Sequence, residues 1–200
     1  MRWRTAVAAA VATCALAVAA PSSADTPEGP LALTRRVLEQ SNTIVRGPGD
    51  RTEKLHALSD LLRGFLDTDA LARLAAEKHL AGRSDAEVKE FLTLFHEFFV
   101  RTYVQRLLLF DAPGFEYGKE TITGDTARVG TQVVTTGDRF AVDYTLHRET
   151  EGWRATDIEV EGVSLAKNFR SQFDAAVAKD SFQGLLDRLR AKVGPSPTAS

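Results

Sequence analysis

Midway along the chain the spacing of large apolar residues changes from steps of three and four to every second position, and this change demands a domain built of both helix and sheet. Val88, Phe91, Leu92, Phe95, Phe98, Phe99, Tyr103, Leu107 and Phe110 follow the helical period and give one long helix a wide aromatic face. Ser84 opens it, because Glu87 three residues on completes a capping box. Asp111-Ala112-Pro113-Gly114 closes it, since Pro113 disfavours helix at Ala112 and Gly114 permits the turn. Four period-two runs follow, Phe115 to Ile122, Ala127 to Thr135, Arg139 to Glu149 and Trp153 to Glu161. Gly124-Asp125, Gly137-Asp138 and Glu151-Gly152 separate them, and connections so short join antiparallel neighbours into a meander. In the third run Phe140, Val142, Tyr144 and Leu146 alternate with Ala141, Asp143, Thr145 and His147, so one face is buried and the other wet.

Helical period flanks the strands on both sides. Leu31 to Val45 carries Leu33, Val37, Leu38 and Ile44 and stops at Gly47-Pro48-Gly49. Thr52 to Phe65 carries Leu55, Leu58, Leu61, Leu62 and Phe65, and a short helix from Thr68 to Leu80 ends at Gly82. Past Gly162, Ser164 caps a helix bearing Leu165, Phe169, Phe173 and Val177, and Ser181 caps a last one bearing Phe182, Leu185, Leu186 and Leu189. Helices, sheet, then helices predict an α+β domain in which helices cover one face of a curved, antiparallel four-stranded sheet.

The N-terminus has the three-part layout of a secretory signal peptide. Arg2 and Arg4 precede an apolar run from Thr5 to Ala20, and Ser22 and Ala24 suit cleavage before Asp25. At 16 residues the run is shorter than the roughly 20 a membrane-spanning helix needs. Thr13 before Cys14 is a poor neighbour for lipoprotein cleavage. The expected mature chain is one domain over 25–193 with a disordered Pro/Ser/Thr tail over 194–200. It loses its one cysteine with the leader, so its stability comes from packing rather than disulfides. Loss of Arg2 and Arg4 takes the net charge from −2 to −4, which argues against non-specific nucleic-acid binding through clustered cations.

Catalytic motifs are scarce. His56, His79, His96 and His147 have no metal-ligand spacing, and no phosphate loop, dinucleotide fingerprint or nucleophile elbow occurs. Asp143 and Asp157 fall on strands that neighbour each other in a meander and form the one candidate acid and base pair of a small isomerase or hydratase. The plainer reading makes them wet-face residues or strand-edge hydrogen-bond acceptors. More distinctive is the aromatic set, eleven Phe against two Trp and three Tyr, with six of the Phe between Phe91 and Phe115. Such a stripe serves equally as solid core, as in a ligand-free adaptor, or as the wall of an apolar pocket. Two acyl chains of roughly thirty methylenes cost on the order of 20 kcal/mol to leave in water, so a lipid pocket has to enter the domain between sheet and helices.

The run Trp153-Arg154-Ala155-Thr156-Asp157-Ile158-Glu159-Val160-Glu161-Gly162-Val163-Ser164-Leu165-Ala166-Lys167-Asn168-Phe169-Arg170-Ser171-Gln172-Phe173 resembles the signature of the MlaC family. These are periplasmic phospholipid-binding proteins, also called toluene-tolerance proteins. Phe91, Phe95, Phe99, Thr102, Tyr103, Arg106 and Leu107 resemble that family's long-helix motif. Phe169 replaces the family's usual Tyr, which removes a hydroxyl. The resemblance implies a fold related to nuclear transport factor 2 with added N- and C-terminal helices, no cofactor and no catalysis. It further implies a periplasmic shuttle between an inner-membrane ABC transporter with a lipid-binding ring and an outer-membrane lipoprotein complex, maintaining outer-membrane lipid asymmetry. The cargo is phospholipid or, as for a relative in the same superfamily, a hopanoid. The expected pocket wall is Phe95, Phe99, Tyr103 and Leu107 from the long helix, Val129, Val133, Phe140, Val142, Tyr144 and Leu146 from the sheet, and Val163, Leu165, Phe169 and Phe173 beyond it. Arg106 and Arg170 are the candidates for the lipid head group, because Arg offers paired donors. Asn168, Arg170 and Gln172 are otherwise expected to pin helix to sheet.

Overall fold

In the computed structural model, which describes residues 28–108 and 114–194, the helical and strand periods resolve into two layers. Four helices come first: α1 (Pro30–Arg46), α2 (Arg51–Phe65), α3 (Thr68–Leu80) and α4 (Asp85–Phe99). Asp50 with Glu53, and Ser84 with Glu87, form capping boxes that start α2 and α4. Strands β1 (Gly114–Thr123), β2 (Thr126–Val134), β3 (Arg139–Glu149), β4 (Gly152–Val160) and β5 (Val163–Ser164) form one antiparallel sheet in the order β1-β2-β3-β4-β5. The leader over 1–24, Phe110, Asp111-Ala112-Pro113 and the tail beyond Gly194 lie outside the described residues.

The sheet therefore has five strands rather than the expected four. Glu161 and Gly162 both take left-handed φ, 50° and 76°, making a two-residue turn whose twist suits a hairpin. Val163 and Ser164 return beside Val160 and Glu159. A strand of two residues is too short to display a period, which is why periodicity does not reveal it.

Register places Ala127, Val129, Thr131 and Val133 opposite Leu146, Tyr144, Val142 and Phe140, and these side chains make up the inner face. Two bulges bend the sheet. One follows Tyr117 in β1, where a Cβ on Gly118 would lie 3.0 Å from the Gly130 carbonyl, and the other inserts Thr156 in β4. Leu33 and Val37 of α1 and Phe65 of α2 are buried with this face in one apolar cluster. The end of α2 is tied to β4: Asp67 N–H donates to the Ala155 carbonyl at 2.8 Å, and Arg154 Nη2 donates to the carbonyls of Arg63 and Leu66, each at 3.0 Å. These bonds satisfy orphan groups at a helix C-terminus.

The long aromatic helix is not uniform. After α4 the chain passes through a π-helical turn (Val100–Val104) and a short α5 (Gln105–Leu107). The two helices expected after Gly162 are joined as α6 (Leu165–Val193), kinked at Ser181, whose φ of 73° and ψ of 174° are non-helical. Its hydroxyl faces Gly184 N–H at 3.5 Å, a remnant of the expected cap.

Candidate functional site: the aromatic layer

An aromatic layer lies where α4 and its π turn meet α6. Phe95 stands edge-on to Phe169 and Phe173, with centroids 5.1 and 6.0 Å apart. Phe169 stacks on Phe173 at 5.8 Å, Phe99 stacks on Tyr103 at 4.6 Å, and Tyr103 meets Phe169 edge-on at 6.1 Å. Offset stacks and edge-on pairs suit the ring quadrupole and add about 0.5–1.5 kcal/mol each beyond burial. Phe169, a ring without a hydroxyl, has aromatic surroundings. The sheet side is equally apolar. Val129, Val133, Val142, Tyr144 and Leu146 are buried, and Tyr144 meets Phe65 edge-on at 5.7 Å.

Most of the expected wall thus falls into one buried cluster: Phe95, Phe99, Val129, Val133, Val142, Tyr144, Leu146, Phe169 and Phe173. Tyr103, Leu107, Phe140 and Leu165 are half-buried. Val163 departs from expectation. It is 56% exposed, because β5 is the last strand of the sheet and the turn at Glu161-Gly162 carries it past the covering helices. Tyr103 and Leu107 depart in degree, and the π turn is the reason. Hydrogen bonds to the fifth residue put Val104 in line behind Phe99, so Val104 is sealed at 1% exposure while Tyr103 and Leu107 are turned partly outward. Phe65, Phe91, Phe98 and Phe182 belong to the same layer and were absent from the expected wall. All four lie on the helical stripes read from sequence, but nothing in a stripe reports which ring meets which.

Polar candidates are accounted for individually. Arg170 Nη2 donates to the Leu74 carbonyl at 2.5 Å and lies 3.5 Å from Glu77, fastening α6 to α3 rather than to the sheet. Asn168 and Gln172 are exposed and bond each other at 2.7 Å, so they do not pin the sheet either, since both lie on the outer side of α6. Arg106 Cζ lies 5.7 Å from the Tyr103 ring centre. Burial pushes the Tyr103 phenol up, with Arg106 opposing the shift.

Asp143 pairs with Arg128 at 3.2 Å on the wet face, where Arg128 also holds Glu159 at 2.5 Å. Asp157 accepts from Ser164 Oγ at 2.5 Å, Ala166 N–H at 3.0 Å and Ile158 N–H at 2.9 Å, which joins β4 to the start of α6. Of the histidines, His79 meets Asp174 at 2.7 Å and His96 meets Thr68 at 2.8 Å, while His147 meets the Arg148 carbonyl. Among the described residues no group of His, Cys, Asp and Glu could hold a metal. Two open grooves, of about 610 Å³ beside α1 and about 740 Å³ between α3 and α4, are rich in charged side chains and lie away from the aromatic layer.

These features define an α+β domain in which helices seal one face of an open antiparallel sheet over an aromatic layer. The chain belongs to the MlaC family, whose model, described as MlaC protein, matches residues 33–191. Among solved structures, the phospholipid-binding protein from Ralstonia solanacearum, in complex with a phospholipid, is similar at 19% identity and a TM-score of 0.72. The alignment covers 82% of this chain and 96% of that one. No curated protein matches the chain.

Proposed function

We propose that this protein is a periplasmic lipid carrier: it takes phospholipid acyl chains into the layer between sheet and helices and shuttles them between an inner-membrane ABC transporter with a lipid-binding ring and an outer-membrane lipoprotein complex. It catalyses no reaction and uses no cofactor. The observation that carries the reading is the family match over 33–191, which spans every residue of the aromatic layer. The fold shared with a phospholipid complex supports it. We also read the one-sided sheet as related to nuclear transport factor 2, with helices added at both ends. The two carboxylates of the enzyme alternative are committed to Arg128 and to the start of α6, which favours the carrier.

Phe95, Val129 and Leu146 have no exposed surface, so hydrocarbon enters only if the layer parts. Tyr103, Leu107, Phe140 and Leu165 are half-buried and are the less sealed part of the wall. About 0.8 kcal/mol per methylene drives the tails in, against the loss of contacts between the separated rings. Protein purified without detergent is expected to show a lipid-bound mass in native mass spectrometry, with fragmentation deciding between phospholipid and hopanoid. Bare protein throughout, with no uptake from liposomes, would overturn the proposal.

A further inference from the structure

We infer that the phosphate of the bound lipid is met by a cationic corner made of Arg101, Arg106 and Lys192. This rests on the carrier reading and adds to it a means of recognising charge.

Elsewhere on the surface arginines are spent on carboxylates, as in Arg36 with Glu28, Arg139 with Glu116 and Arg190 with Glu90. At the α4–α6 corner the pattern reverses. Lys192 Nζ stands 5.7 Å from the centre of the Phe98 ring, and Arg106 Cζ stands 5.7 Å from that of Tyr103. Both rings lean on Phe169, at 6.0 and 6.1 Å, so the two cations flank one aromatic step. Arg101 belongs to the π turn that links Phe98 and Tyr103. Its Nη1 is 3.1 Å from where a Cβ on Gly194 would stand, against the end of α6 two residues past Lys192.

None of the three forms an ion pair among the described residues. Contact with a ring face leaves N–H donors unspent, and an arginine fork matches the paired oxygens of a phosphate. Phe98 and Tyr103 are only half-buried, so tails lying beneath them bring a phosphate to the surface at this corner. In a chain of net charge −2, three cations without carboxylate partners on one aromatic edge fit an anionic ligand.

The test is competitive uptake from liposomes carrying dioleoylphosphatidylglycerol and dioleoylglycerol, which share tails and differ in the phosphate. The wild-type chain is expected to favour the phospholipid, and the Arg101→Gln/Arg106→Gln/Lys192→Gln variant to lower that ratio about tenfold, the scale of one charge-assisted contact. An unchanged ratio overturns the inference. So does a variant that loses only sedimentation with anionic vesicles while its ratio holds, because the corner then meets the bilayer and not the cargo. Uptake of neither lipid by the wild-type chain sinks the carrier reading itself, and this inference with it. Should the variant fail to fold, the wild-type ratio measured against salt decides: erosion on raising ionic strength supports the contact, and indifference to salt contradicts it.

Discussion

Tyr144 concentrates the apolar character of the sheet face in one side chain. Its ring packs edge-on against Phe65, and burial raises the pKa of its phenol above the usual value, with the Thr131 hydroxyl beside it partly opposing the shift. An unfolded tyrosine ionises near pH ~10, whereas the buried phenol holds its proton to higher pH. Its contribution to stability is therefore complete below pH ~10 and is lost as the pH rises further, because only the unfolded chain gives up the proton. Urea midpoints measured from pH 8 to 11 are expected to fall more steeply for the wild-type chain than for Tyr144→Phe. Parallel curves would place the phenol in water. Phe95 tests packing at the same scale: with no exposure and four ring neighbours besides Phe91, Phe95→Ala is expected to cost about 3–5 kcal/mol in urea unfolding. A loss under about 1 kcal/mol would mean that the layer is loosely filled.

At the scale of elements, the sequence disclosed whatever repeats. The α4 stripe, the four long strands and two of the three capping signals, Ser84 and Ser164, are periodic or local patterns, and the structure has them, while the third, Ser181, keeps only a long contact at the kink of α6. Features resting on one or two dihedral angles left no pattern to read. The hairpin to β5 depends on Glu161 and Gly162, the π turn on one extra residue after Phe99, and the α6 kink on Ser181. Side-chain partners across the chain were equally illegible, since nothing local to Arg170 points to the Leu74 carbonyl 96 residues away.

The α6 kink and the β4–α6 junction each yield a prediction. Ser181 occupies backbone space that strains any residue with a Cβ, at a cost of order 1–3 kcal/mol, and its remaining cap contact is long at 3.5 Å. Ser181→Gly is expected to raise the melting temperature by a few degrees, on the order of 1 kcal/mol, and a lowered value would show that the cap outweighs the strain. Asp157 binds three donors at the β4–α6 junction, so Asp157→Ala is expected to destabilise by about 1–3 kcal/mol in thermal melts. A neutral effect would return Asp157 to the list of available acids.

On the scale of the whole molecule, one face of the sheet carries charge pairs in water, and the other joins the helices in a single apolar cluster of unusual aromatic weight. The carrier reading asks that this cluster be closed when empty and open to hydrocarbon when loaded. A phospholipid bearing a photoactivatable group midway along one acyl chain, presented in liposomes, reports directly on that change. Peptide mapping after illumination is expected to place the label on buried residues, Phe95, Phe99, Val129, Val142 or Phe169, none more than 6% exposed. Labelling confined to exposed apolar positions such as Leu74 and Ile122 would contradict the account.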